Sequence, residues 1–177
     1  MFFRETSSKA GIVSKSYNIN GTDYSHVGIG AMVDQEVVVY HILYSKSNGN
    51  TLESSELKIE KIQDFYNPAN DKVVSGAIVE VKNISALNLT NFNKIVINLS
   101  NRKLTFDKKF ESKEDDYFYC SELVYYIVNN SKSEIKIDPI KKKLSGIDAV
   151  LLRRDSITYY PTDIFLNNKN FQILKKW

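Results

Sequence analysis

The sequence predicts an α+β fold, and three observations carry that prediction. A β-branched run, Val37-Val38-Val39-Tyr40-His41-Ile42-Leu43, follows a second strand-like stretch, Tyr24 to Val33, across a short Asp34-Gln35-Glu36 turn, the pattern of an antiparallel hairpin. Two other stretches repeat apolar residues at helical spacing: positions 89, 92, 95, 96 and 99, and positions 120, 123, 124, 127 and 128. Strands and helices do not alternate in a regular βαβ series, so an antiparallel sheet with separate helices is expected.

Taken in order, Thr6-Ser7-Ser8 offers a cap to a short helix over Lys9 to Lys15, closed by a turn from Asn18 to Gly21. In the hairpin that follows, alternation sets His26 with Gly28 and Gly30 on one face, and Val27, Ile29 and Ala31 on the other. The glycines are expected to leave open space beside the His26 ring. His41 shares its face with Val37, Val39 and Leu43. Ser45 to Ser54 reads as polar loop, and Leu57 to Tyr66 as a strand and short helix stopped by Asn67-Pro68. Ser75 to Lys82 alternates as a further strand, and Leu89 to Leu99 is an amphipathic helix capped near Thr90. A charged loop over 102–116 leads to the helix that opens at Cys120, whose Glu122, Asn129 and Asn130 lie off the apolar stripe. Beyond it, Ile147 to Arg153 fits helix or strand, Tyr159 to Leu166 a turn and short capped helix, and Phe171 to Leu174 a last strand.

The length, 177 residues, fits one domain over 1–177 with a core that needs no disulfide or metal staple. Lys and Arg number 24 against 21 Asp and Glu, a net charge of +3 with no basic block. Lys141-Lys142-Lys143 is too short for a nucleic-acid patch and reads as a solvated turn, so no nucleic-acid partner is expected. Met1-Phe2-Phe3 is followed at once by Arg4-Glu5, and no apolar run approaches the roughly 18 residues of a membrane span. A soluble chain is expected, cytoplasmic or, with an N-terminal signal removed, secreted, periplasmic or lipid-anchored.

The chain has one cysteine and two histidines, and both histidines fall in the one hairpin. A thiol in the first turn of a helix meets free backbone N–H groups and the positive end of the helix dipole, which favour the attacking thiolate. A lone cysteine on an apolar stripe is equally a small core residue, and the helix alone leaves both readings open. Thiol hydrolysis needs a thiolate, an imidazole that takes and returns a proton, and a polar group that orients the imidazole. Cys120, His26 and His41 can fill those roles in that order. Two histidines 15 positions apart and no second cysteine lack the ligand spacing of structural zinc, and no metal or other cofactor is expected.

Tyr24-Ser25-His26-Val27-Gly28-Ile29 and, about ninety positions later, Tyr119-Cys120-Ser121-Glu122-Leu123-Val124-Tyr125 resemble the circularly permuted, YiiX-like branch of the NlpC-type papain-like superfamily, in which histidine precedes cysteine. The resemblance runs from Phe2 to Tyr126, with a weaker echo in Tyr160-Pro161-Thr162-Asp163-Ile164. Relatives commonly open with a Gly-Asp pair where this chain has Met1-Phe2-Phe3-Arg4. The resemblance implies a papain-like core with the histidine hairpin ahead of the cysteine helix. It makes Cys120 the nucleophile, His26 the general base and His41 the third, orienting residue, a position that is often Glu. The Cys120 backbone N–H is then the oxyanion donor, with Tyr24, Ser25 or Tyr119 as candidate partners for oxyanion or substrate. The implied activity is cleavage of an amide or related acyl bond, on a cell-wall peptide or a similar small amide. Lipid acyl chemistry of the lecithin:retinol acyltransferase type and a non-catalytic binding module are the alternatives.

Overall fold

The computed structural model describes residues 1–44, 57–83, 88–110, 116–131 and 134–177, and the expected loop from Ser45 to Ser54 lies outside them. The chain opens with β1 (Phe2–Thr6) and α1 (Lys9–Lys15), then runs through β2 (His26–Val33), β3 (Glu36–Ile42), β4 (Leu57–Lys61), α2 (Ile62–Tyr66) and β5 (Val73–Val81). After α3 (Leu89–Ser100) come β6 (Thr105–Phe106), β7 (Tyr117–Phe118), α4 (Cys120–Asn130), β8 (Ile140–Lys143), α5 (Gly146–Leu152), β9 (Ser156–Tyr159) and β10 (Phe171–Lys176). Six strands form one antiparallel sheet in the order β10-β5-β1-β2-β3-β4, while β6 pairs with β7 and β8 with β9 in two small sheets. The class is α+β, as expected.

Strand alternation divides the large sheet into two unequal faces. One face carries Phe3, Val27, Ile29, Tyr40, Ile42, Ala77 and Val79 into the main core, where Phe92, Val96 and Leu99 of α3 and Leu123, Val124 and Ile127 of α4 cover them. The opposite face carries Phe2 and Val39 under Phe65 of the five-residue helix α2. Arg4, His26 and His41 share this second face, because Arg4 lies opposite His26 in the ladder and His41 has the parity of Val39.

The hairpin forms as expected, its turn tightened by Asp34 and Gln35 at positive φ. Ser8 caps α1 by accepting the Gly11 N–H at 3.2 Å. The cap of α3 is Asn88 rather than Thr90: its side chain accepts the Asn91 N–H at 3.0 Å, and the helix begins at Leu89 as expected. Strand β1 was not anticipated, although it sits between β5 and β2 at the centre of the sheet. Lys141 to Lys143 is not a turn but strand β8, which alternates Ile140, Lys142 and buried Leu144 inward and Lys141 and Lys143 outward. The charged 102–116 segment contributes β6, which pairs in parallel with β7. The expected helix within Tyr159 to Leu166 is a run of turns, since the Asp163 carboxylate does not cap its own segment. It accepts instead from the Ile19 N–H at 3.1 Å, the Asn20 N–H at 2.8 Å and the Thr22 hydroxyl at 3.2 Å, tying two distant loops together.

The glycines beside His26 do not leave open space. A Cβ on Gly28 would meet Val39 Cγ1 at 2.5 Å, the Tyr40 carbonyl at 3.1 Å and His41 Cβ at 3.2 Å, and one on Gly30 would run into the Phe2 ring. Glycine therefore allows β3 and Phe2 to close on β2. Gly28→Ala is expected to destabilise the fold by about 1–3 kcal/mol through overpacking, read as a lower midpoint in denaturant unfolding; an unchanged midpoint refutes this account of the close approach.

Candidate active site at the open end of the hairpin

Strand β2 changes partners along its length. His26 to Gly28 pair with Gly28-facing Phe2, Phe3 and Arg4 of β1, whereas the ladder to β3 runs only from Ile29 opposite Tyr40 to Val33 opposite Glu36. The β3 side of His26 and Val27 is thus free of ladder pairing.

On the α2-covered face, His26 Nε2 lies 2.9 Å from His41 Nδ1, and His41 Nε2 lies 3.0 Å from Glu60 Oε2 on β4. His41 is fully buried and His26 nearly so. The Phe65 ring stacks on His26 at 5.8 Å between centroids and meets His41 edge-on at 5.1 Å. Burial pushes the His26 pKa well below its usual 6.5, helped by the positive charge of Arg4 and by His41. Burial also lowers that of His41, against the pull of Glu60. The hydrogen bond from His41 draws the Glu60 carboxyl down to about 2. A large drop at Glu60 taken alone suggests a cationic His41, while the His41 shift says neutral; a carboxylate that accepts from a neutral imidazole satisfies both.

This protonation state gives the chain a direction. Ionised Glu60 only accepts, so His41 carries its proton on Nε2 and presents a lone pair at Nδ1. His26 must then donate from Nε2, which leaves the lone pair on its Nδ1. Among the described residues that Nδ1 has no hydrogen-bond partner.

Cys120 begins α4 as expected and is buried in the main core cluster, beneath the other face of the sheet. Burial raises the thiol pKa, opposed by the Val27 N–H, the Thr162 hydroxyl and the Ser121 N–H, all donors toward the sulfur. Cys120 and His26 approach the unpaired end of β2 from opposite faces, with the Val27 N–H between them. Among the described residues no hydrogen bond joins the thiol to the imidazole.

Arg4 reaches toward both groups. Its guanidinium stacks over the Phe65 ring at 4.5 Å and donates to the Phe65 carbonyl, while Nε lacks a partner among the described residues. The other candidates are committed elsewhere. Ser25 Oγ accepts from the Thr6 N–H at 3.0 Å, binding β1 to the start of β2. The Tyr119 hydroxyl accepts from the Tyr160 N–H at 2.8 Å, and its ring packs on Phe110. Tyr24 packs against Phe3, and its buried hydroxyl has no hydrogen-bond partner among the described residues; its charged neighbour is Glu5. Glu60, Arg4 and Thr162 were not singled out in the sequence. Of the three, only Thr162, in the weak echo after Tyr160, had any signal.

Glu122, expected off the apolar stripe, is buried, and burial with the nearby Asp107 charge raises its pKa to about 8. The folded chain therefore keeps this carboxyl protonated between its ordinary 4.5 and about 8, where the unfolded chain has released the proton. Its contribution to stability is present below 4.5 and is lost as pH rises toward about 8. His26 has the opposite effect: its refusal of a proton costs stability as pH falls below 6.5. Glu122→Gln is expected to raise the melting temperature at pH about 8 relative to the parent and to flatten its decline above pH about 4.5. A parallel decline in both proteins would exclude Glu122 as the source.

No protein-family model matches the chain, and no curated protein does. One solved structure, that of the metalloprotein YiiX from Escherichia coli O157:H7, is similar over 99% of this chain and 94% of the other, at a TM-score of 0.67 and 14% sequence identity. The likeness establishes a YiiX-like fold.

Proposed function

We propose that the chain is a thiol-dependent hydrolase of an amide or related acyl bond, built on a permuted papain-like core, with Cys120 as nucleophile and His26 as general base. Two observations support the reading: the Glu60–His41–His26 chain leaves the His26 Nδ1 lone pair without a partner among the described residues, and the next residue of the strand, Val27, donates its N–H toward the Cys120 sulfur. A general base needs a free lone pair on a ring held in one tautomer.

In the reaction, His26 Nδ1 takes the thiol proton as sulfur attacks the carbonyl carbon, and the carbonyl π electrons move to oxygen. The Cys120 N–H and the Thr162 hydroxyl are the donors we assign to that oxyanion. Collapse breaks the bond to the leaving nitrogen or oxygen, which receives the proton from His26. Water then gives its proton to His26 and attacks the thioester, releasing the acid and restoring the thiol. Throughout, His41 and Glu60 hold the His26 ring in one tautomer. The metal in the name of the YiiX structure is not carried over, because among the described residues no three His, Cys, Asp or Glu side chains converge as ligands and both His41 nitrogens are occupied.

The substrate we favour is a cell-wall peptide or a related small amide. Lipid acyl chemistry has one observation on its side: an apolar cavity of about 450 Å³, lined by Phe2, Ile29, Met32, Val81, Phe92 and Val128 among others. Val128 lies two helical turns, about 12 Å, along α4 from Cys120.

Incubation with muropeptides and with phospholipids, read by mass spectrometry, separates these substrates. Cys120→Ala is expected to abolish turnover and His26→Ala to lower the rate by about 10²–10⁴-fold. Unchanged hydrolysis in both variants on both substrate classes would sink the assignment. Glu60→Gln is expected to lower kcat about tenfold or more with little change in KM, because an amide can donate to His41 Nε2 and so removes the preference for one tautomer. A Glu60→Gln enzyme with parental kcat would reduce Glu60 to a packing role.

A further inference from the structure

Helix α5, Gly-Ile-Asp-Ala-Val-Leu-Leu, is apolar nearly all round, a composition that belongs to a buried helix. Its Ala149 and Leu152 do pack inward, against the cluster of Tyr17, Tyr119, Leu144, Ile157 and Tyr159. Its other side is bare: Ile147, Val150 and Leu151 are 73%, 74% and 71% exposed, the most exposed large apolar side chains among the described residues. Positions i, i+3 and i+4 form one stripe, so the three make a single patch rather than scattered surface residues.

The charge around that stripe is one-sided. Residues 140–155 hold five cations, Lys141, Lys142, Lys143, Arg153 and Arg154, against two carboxylates, Asp148 and Asp155. The whole chain has 24 cations and 21 carboxylates, so this segment accounts for the entire net charge of +3 and the remaining nineteen of each sign balance. Asp148 is turned toward the Tyr17 hydroxyl, and Lys142 and Arg154 are spent on the Tyr17 ring and the Phe110 carbonyl. Lys141, Lys143 and Arg153 are exposed and have no ion-pair partner among the described residues.

We propose that α5 and the β8 strand beside it form a docking surface for an anionic lipid bilayer. Ile147, Val150 and Leu151 enter the headgroup region, and Lys141, Lys143 and Arg153 meet the lipid phosphates. Exposed aliphatic residues in a segment rich in exposed lysine and arginine suit that occupant better than a protein, because protein interfaces are depleted in Lys and anchored by aromatic side chains, which the exposed stripe lacks. The contact is peripheral: among the described residues no helix is long and apolar enough to cross a membrane. This surface does not rest on the hydrolase reading, and its test needs no substrate.

Co-sedimentation with vesicles of phosphatidylcholine alone, and with about 30% phosphatidylglycerol added, provides the test. The parent protein is expected to bind the anionic vesicles and to be released as salt is raised to about 0.5 M. Ile147→Ser with Leu151→Ser is expected to weaken binding at least about tenfold through lost apolar burial. Lys141→Glu with Lys143→Glu should do the same through lost attraction to phosphate and should blunt the salt dependence. All four positions are exposed or outward-facing, and an unchanged circular dichroism spectrum verifies each fold. Failure of the parent to bind anionic vesicles, or binding indifferent to both double variants, overturns the proposal. A concentration-dependent dimer in sedimentation velocity that Ile147→Ser with Leu151→Ser abolishes would put a second copy of the chain on the stripe and overturn it equally.

Discussion

The Glu60 carboxylate, at the edge of the sheet, governs the arrangement of the buried groups behind it. Two neutral imidazoles in series inside an apolar layer present two N–H donors and two lone pairs, and burial makes an unpaired N–H there costly. An acceptor-only group at one end settles both tautomers at once, so each N–H finds an acceptor along the bonds of 3.0 and 2.9 Å. The surroundings follow from keeping that chain dry and straight. Gly28 lets β3 close until His41 stands beside β2, and Phe65 covers both rings. The small helix α2 immediately follows β4, so the strand that supplies Glu60 also delivers the cover.

Hairpin and cysteine helix were legible in the sequence because periodicity reports burial. Val37 to Ile42 is rich in β-branched residues, and the stripe from Cys120 to Val128 repeats at helical spacing. Strand β1 was opaque for the converse reason: it buries an arginine. Phe-Phe-Arg-Glu-Thr resembles an exposed end, and groups far away in sequence, the Phe65 ring and carbonyl and the charges of Glu60 and Asp71, make Arg4 tolerable inside a sheet. Glu60 was hidden likewise. In Leu57-Lys58-Ile59-Glu60-Lys61 it alternates with lysines as on any solvated edge strand, and its bond to His41 depends on a strand pairing that crosses residues 45–56. The Lys141 to Lys143 run misled in the opposite sense, since a strand needs only every second residue to face inward, and Ile140 and Leu144 suffice.

Division of the sheet into two faces also separates the proposed reactants by solvent and charge. The thiol belongs to the large apolar core, and the imidazoles lie in the thin layer under α2, against Phe65. Val27, which follows His26 where β2 has left β3, is the residue of β2 whose N–H reaches the sulfur. The donor to the sulfur therefore depends on a defect in strand pairing: a ladder continued to His26 would claim the Val27 N–H for β3 and remove it.

Burial sets the resting charge, and Arg4 modulates it. Its guanidinium acts on both partners, lowering the pKa of His26 while favouring the thiolate form of Cys120. Those two effects pull against each other in a thiolate–imidazolium pair, which needs a cation on His26 beside the cation of Arg4. Burial disfavours both charges as well, so the state favoured at rest is a neutral thiol and a neutral imidazole. In the reaction proposed for this site the proton must move as the carbon–sulfur bond forms, when negative charge passes from sulfur to the oxyanion and Arg4 can stabilise it without opposing a separate step. A preformed ion pair would leave the Glu60 relay little to do; coupled transfer makes the direction of its hydrogen bonds the feature on which the rate depends.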